Sequence, residues 1–348
     1  MSTNRRSLLK AMGGLGAGSV GLTTSPGLLG TALAQDKITW KAVTTHRVGA
    51  AWSHRWPWLL DEIKTKTGGR LNMDVTTLPE LGLSGQELLR TLKANLVDYA
   101  DIVAGYVGGD FPAIEAPQLP GAFQDYASSR KGVDAWVPKV ISPREDIIGG
   151  RIISHFNYNT VYLFSKFPME KLEDIKGKKI RTFSVGLADF VAALGGEPVS
   201  MPVSDLYTAL ERGTIQGGIT GPDQVEGQRL YEVCKYMTDI MCGSSPAYTV
   251  VSKKSWDKLP ADLKNVIEEI APTLTQKGWE IGDINNKYGV ELAKAKGMTV
   301  LTEPKKEWIE PLRKIGKDAV AAKWAKRVGE KTTKDFNEIL APIAGFTI

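Results

Sequence analysis

Arg181 stands third in a short β-prone run, Lys179-Ile180-Arg181-Thr182-Phe183, with Ser184 directly after it. A guanidinium is a planar fork of donors that can grip a carboxylate through two parallel, charge-assisted hydrogen bonds. Ser184 is a candidate helix N-cap, because its hydroxyl can accept from the unpaired amides of the next turn. A helix N-terminus itself favours anions. The chemistry these residues offer is recognition of an organic anion. The competing possibility is a surface arginine in an ion pair with Asp or Glu.

No catalytic signature accompanies them. The chain holds no G-x-S-x-G, H-E-x-x-H or C-x-x-C, and its one G-x-G-x-x-G, Gly16 to Gly21, has no strand before it. His46, His54 and His155 are dispersed and read as satisfied loop or core histidines rather than as bases or ligands. Cys234 and Cys242 lack the spacing of an iron–sulfur or zinc site. In an oxidising compartment they can pair, and equally they can serve as small buried hydrophobes.

The elements that must position Arg181 follow from periodicity. Leu187, Phe190, Val191 and Leu194 form one apolar helix face, and Gly195-Gly196 stops it. A second helical unit begins at Ser204, runs through Leu206, Tyr207 and Leu210, and stops at Gly213; Thr214 to Thr220 is again β-prone. Strand–helix–strand–helix–strand is the grammar of an α/β sheet, in which ligands sit at the strand C-termini. Arg181 and Thr220 would both lie near that edge.

Strands are expected at Ile38 to Thr45, Leu71 to Leu78, Asp101 to Tyr106, Arg151 to Leu163, Ala247 to Val251 and Met298 to Leu301. Asp262 to Ala271 is amphipathic and Pro272 should end or kink that helix, with helical spacing resuming from Thr273 to Ala295. Lys305 to Ile339 is largely helical, with Trp308, Trp324 and Phe336 as core. A chain of 348 residues fills roughly two domains.

At the N-terminus, Asn4-Arg5-Arg6-Ser7-Leu8-Leu9-Lys10 is a twin-arginine export motif, and Ala32-Leu33-Ala34 is an A-x-A cleavage site. The intervening glycines would each cost a structured helix about 1 kcal/mol. Losing Arg5, Arg6 and Lys10 lowers the net charge from +5 to +2. With no basic cluster elsewhere, nucleic acid is excluded as a partner. No other stretch approaches the ~20 apolar residues of a spanning helix.

The run LEDIKGKKIRTFS, residues 172 to 184, resembles the L-x-D-x-K-G-x-K-x-R signature of TRAP-transporter solute-binding proteins of the DctP type. MPVSDLYTALERGTIQGGITGP, residues 201 to 222, resembles the segment that follows it in that family, and Pro79-Glu80-Leu81-Gly82 resembles an earlier loop. The weaker similarity spans the mature chain. It implies an α/β, two-domain, periplasmic-binding-protein-like fold with a hinge and a long helix spanning both domains. Residues 1–34 would be the removed leader, 35–156 plus 247–285 the first domain, and 157–246 plus 286–348 the second, with the ligand cleft between them.

The resemblance places Arg181 on the ligand carboxylate, and it makes Tyr158 and Asn159, midway along a strand crossing between the domains, ligand contacts. Thr220 would add a donor, while Phe183, Tyr106 and Trp52 would shape a side pocket, leaning towards a bulky or aromatic acid. It further implies a monomeric periplasmic receptor without cofactor or catalysis, delivering a small organic acid to TRAP membrane permease subunits driven by an ion gradient. Some departures bear on the ligand. Val161 stands where sialic-acid-binding relatives carry a second arginine, and Ile219-Thr220 replaces the E-W pair of sodium-assisted relatives, so neither sialic acid nor a metal is expected. Asn95 replaces a usual glycine, and Gln216 a usual aspartate. The rival classes are a twin-arginine-exported oxidoreductase and the binding component of an ATP-driven importer.

Overall fold

The computed structural model describes residues 37–49, 51–123 and 125–348; the export motif and the cleavage site lie outside the described residues. The strands are β1 (Ile38–Thr44), β2 (Leu71–Thr77), β3 (Tyr99–Val103), β4 (Gly150–Thr160), β5 (Tyr162–Ser165), β6 (Lys179–Thr182), β7 (Glu197–Ser200), β8 (Gly217–Thr220), β9 (Tyr236–Thr238), β10 (Ser244–Ser252) and β11 (Thr299–Leu301). They form two sheets, one in the order β2-β1-β3-β10-β4 and the other in the order β11-β9-β5-β8-β6-β7. In the first, β1 runs parallel to β2 and β3, while β10 lies antiparallel between β3 and β4. In the second, β6 runs parallel to both β7 and β8. Every residue of β3, β8 and β10 is buried, as expected of strands covered on both faces.

The long β-prone run Arg151 to Leu163 serves both sheets. β4 belongs to the first and β5 to the second, and the break is the single residue Val161, whose N–H donates to Gly243 O at 3.0 Å. The return crossing is β9 into β10. A helix of 35 residues, Ala261–Ala295, packs along β4 and reaches β11, so it too spans both sheets.

Pro272 does not end that helix, which is continuous from Ala261 to Ala295. A proline removes one hydrogen bond and crowds the preceding turn. Here the buried face continues across it through Ile267, Ile270 and Leu274, and packing outweighs the local cost. Further along, Gly278 and Gly282 bring the helix backbone onto β4. A Cβ at 278 would overlap Phe156, and one at 282 the carbonyl oxygen of Asn157. Tyr126 donates to Trp279 O at 2.7 Å, and Trp279 Nε1 donates to His155 Nδ1 at 3.1 Å.

The C-terminal run is helical at Lys306–Ile315 and Ala322–Ile339, joined by a wider turn at Gly316–Ala321. It packs on Pro112–Gln118 and on the helix Val185–Ala193, with Trp308, Trp324 and Phe336 buried. Cys234 and Cys242 are buried free thiols, so the packing role applies and no disulfide forms between them. Asn95 takes a left-handed φ of 55°, the conformation that glycine adopts most freely. Among the described residues no helix is long and apolar enough to cross a membrane.

One buried carboxylate joins the segment Pro112–Gln118 to the second sheet's helix. Glu115 Oε1 accepts from Val185 N at 3.2 Å, and Oε2 has no partner. Burial pushes its pKa from 4.5 up to about 7, opposed by Arg327 and by the amides of Gly186 and Val185. The folded state therefore binds this proton more tightly than the unfolded one. Its contribution to stability is lost as the pH rises from about 4.5 to 7. We predict that Glu115→Gln flattens the decline in melting temperature across that window; an unchanged pH profile would show that Glu115 is ionised throughout. Gly282→Ala should destabilise by on the order of 1–3 kcal/mol, since backbone cannot yield to the new methyl as a side chain would. A melting temperature equal to wild type would contradict the close approach.

Candidate functional site

Arg181 lies on β6, between β7 and β8, and is 1% exposed. Nε donates to Met201 O at 3.0 Å and Nη1 to Ile219 O at 2.9 Å. Nη2 is buried without a partner. Among the described residues the guanidinium makes no ion pair, so it is not a surface arginine paired with Asp or Glu. Burial holds its pKa below the ordinary arginine value, with the Tyr106 phenol opposing that shift. The Phe183 ring stands 5.2 Å from its Cζ.

The helix beginning at Val185 is capped as its sequence suggests, with Ser184 Oγ accepting from Leu187 N at 3.1 Å. Its terminus does not wait for a ligand, however. Glu115 already accepts from Val185 N, so the protein's own carboxylate occupies the position expected for an external anion.

Tyr106 reaches the site differently from expectation. The third strand stops at Val103 and Ala104–Val107 form a helical turn. That turn sets the Tyr106 ring edge-on to Phe183 at 6.0 Å. Tyr158 OH bonds Thr45 Oγ1 at 2.8 Å and meets Thr44 Oγ1 at 3.4 Å. Thr44 in turn donates to Asp101, which is held bidentately by the buried Arg55 at 2.8 and 3.2 Å. A chain of polar contacts thus fixes Tyr158 from the interior of the first sheet. Burial pushes the Tyr158 phenol up, so it stays a neutral donor and acceptor.

Arg181, Tyr158, Asn159, Phe183, Thr220 and Tyr106 line one cavity of about 40 Å³. Trp52 does not join them. It sits on the turn Ala51–Arg55 in a separate, wider groove of about 550 Å³, which Ile284 and Tyr288 also line, with Arg47 5.1 Å from its ring. Thr45, His46, Asp223, Gln224 and Ser245 also line the cavity, and sequence reasoning passed over them as site residues. His46 follows the C-terminal end of β1, and Asp223 that of β8, so the edge rule that singled out Arg181 and Thr220 applies to them equally.

His46 Nε2 lies 3.0 Å from Asp223 Oδ2, linking the loop after β1 to the loop after β8. Asp223 also accepts from Asn159 Nδ2 and Gln224 Nε2, each at 2.7 Å. Gly221 makes room for this arrangement, because a Cβ there would overlap the Asn159 amide. The other histidines are structural or peripheral. His155 accepts from Trp279, and burial pulls its pKa down to about 4; His54 bonds its exposed neighbour Ser53. Among the described residues no cluster of three or more His, Cys, Asp or Glu could hold a metal ion.

A periplasmic C4-dicarboxylate-binding protein of Rhodobacter capsulatus is 25% identical over 223 residues, 63% of this chain and 66% of that protein. An uncharacterized Haemophilus influenzae protein is 28% identical over 165 residues, and the match spans 50% of its length. Among solved structures, a TRAP periplasmic solute-binding protein of Ochrobactrum anthropi, with its C-terminus bound in the ligand pocket, superposes with a TM-score of 0.77. It is 27% identical over 89% of this chain and 97% of that one. A Bordetella pertussis extracytoplasmic solute receptor that binds pyroglutamic acid shares the fold at 19% identity, with a TM-score of 0.79 over 89% of this chain and 100% of that one. The family model for bacterial extracellular solute-binding proteins matches residues 56–327, and the chain belongs to that family, family 7, the DctP type.

Proposed function

We propose that this protein is the extracytoplasmic receptor of a TRAP transporter and that it captures a small organic acid by its carboxylate. Arg181 is the clamp. The observation that carries this is its Nη2: a buried, charged donor without a partner, on a side chain lining a cavity between the two sheets. An unpaired buried charge is costly, and a carboxylate would satisfy it with a charge-assisted bond. Tyr158, Asn159, Thr220, Tyr106 and Phe183 complete the walls. Several relatives bind ligands of this class, pyroglutamic acid in the Bordetella receptor and D-glucuronate in one from Citrobacter koseri.

The cavity holds about three water molecules, too little for an organic acid. Entry therefore needs the lobes to part about the two strand crossings and the long helix. We assign residues 35–156 with 247–285 to one lobe and 157–246 with 286–348 to the other. The leader, read from sequence as residues 1–34, would send the protein to the periplasm by the twin-arginine route. There it would act as a monomer and pass its ligand to the permease subunits.

Losing one member of a buried, hydrogen-bonded charge pair costs about 2–5 kcal/mol, roughly thirty- to several-thousand-fold in affinity. Arg181→Met is expected to fold normally and to lose organic-acid binding by that factor. A ligand at 100 times its Kd adds ~2.7 kcal/mol, so thermal melting against a library of organic acids reads the effect directly. Wild-type affinity in the variant would refute the clamp, and a ligand without a carboxylate would refute the substrate class.

A further inference from the structure

Two polar nitrogens on side chains that line the cavity lack partners, and they are of opposite kind. Arg181 Nη2 is a donor. His46 Nδ1 is the other. Its ring partner Nε2 lies 3.0 Å from an oxygen of Asp223, a carboxylate that can only accept, so Nε2 carries the proton. Gln224 Nε2 lies 3.1 Å from the same ring nitrogen but 2.7 Å from Asp223 Oδ2, to which it donates. With Nε2–H donating to Asp223, Nδ1 is the acceptor nitrogen of that imidazole tautomer. Stacking on Tyr158, with centroids 5.7 Å apart, helps to hold the ring in this orientation.

Asp223 adds a constraint of charge. It is 4% exposed, lines the same cavity, and is fixed by His46, Gln224 and Asn159. A ligand that carried a second carboxylate to Asp223 would meet a like charge in a confined, poorly screened space.

We infer that the ligand is a monocarboxylate bearing a neutral hydrogen-bond donor, a hydroxyl or a cyclic-amide N–H, at the end away from its carboxylate. The donor is received by the His46–Asp223 pair, and dicarboxylates are excluded. This rests on the proposed Arg181 clamp and narrows it. It also makes His46 and Asp223 specificity residues on opposite sides of the cleft, joined to each other when the lobes meet.

The test is titration calorimetry on the purified protein with three sets of acids. One set carries a donor (lactate, mandelate, pyroglutamate), one is apolar (butyrate, benzoate, cyclopentanecarboxylate), and one is dicarboxylic (succinate, fumarate, glutarate). The donor-bearing set should contain the tightest ligand, at least about tenfold above its apolar counterpart, because a site built for a donor rejects analogues that lack it. His46→Phe should narrow that gap by weakening the donor-bearing acid more than the apolar one. Asp223→Asn should admit dicarboxylates, with folding of both variants checked by circular dichroism. Tightest binding by an apolar acid or a dicarboxylate would overturn the inference and leave the Arg181 clamp standing. Binding by none of the nine would count against the proposed function and this inference together.

Discussion

The close packing of the long helix on β4 is the constraint on which the rest of the structure depends. Gly278 and Gly282 let two backbones approach where any side chain would collide. β4 is thereby held from behind while its far end carries Tyr158 and Asn159 into the cavity. Asn285, one helical turn on from Gly282, donates to Tyr158 O at 3.3 Å. The same helix continues past the first sheet to β11 of the second. One element therefore sets the position of the site and connects the two sheets that flank it.

The site itself stores unbalanced charge. Arg181 has two carbonyl partners and no carboxylate, in a setting where an isolated charge is disfavoured. Asp223, by contrast, receives donors from three side chains drawn from the loop after β1, from β4 and from the helical turn Gln224–Gly227 that follows it. Arg181 is thus short of an acceptor, whereas Asp223 already has its donors. On the proposed reading, an acid entering the cavity would turn its carboxylate to Arg181 and away from Asp223.

Much of the fold was legible because burial and period coincide. β6, the Ser184 cap and the helix face through Leu187, Phe190 and Val191 follow from local pattern, and all are observed. The departures share a cause. Pro272 lies within a helix because packing on both sides of it exceeds one lost hydrogen bond. Tyr106 leaves its strand for a helical turn, with Gly105 pressed against Phe183 and Ser184 from the second sheet. The terminus at Val185 is taken by Glu115, 70 residues earlier in the chain. Each outcome was settled by a neighbour distant in sequence.

The sequence by itself determined the α/β class, the resemblance to DctP-type proteins and the placing of Arg181 at a strand edge, because these depend on local propensity, period and short motifs. Only the tertiary structure decided what else stands with that arginine. It set Trp52 in a separate groove, and it joined His46 to Asp223 across 177 residues of chain. It also left Arg181 Nη2 and His46 Nδ1 unpaired. The physical reason is that hydrogen-bond satisfaction is a property of a whole neighbourhood. Whether a donor or acceptor is free can be counted only once every residue that could meet it has been placed.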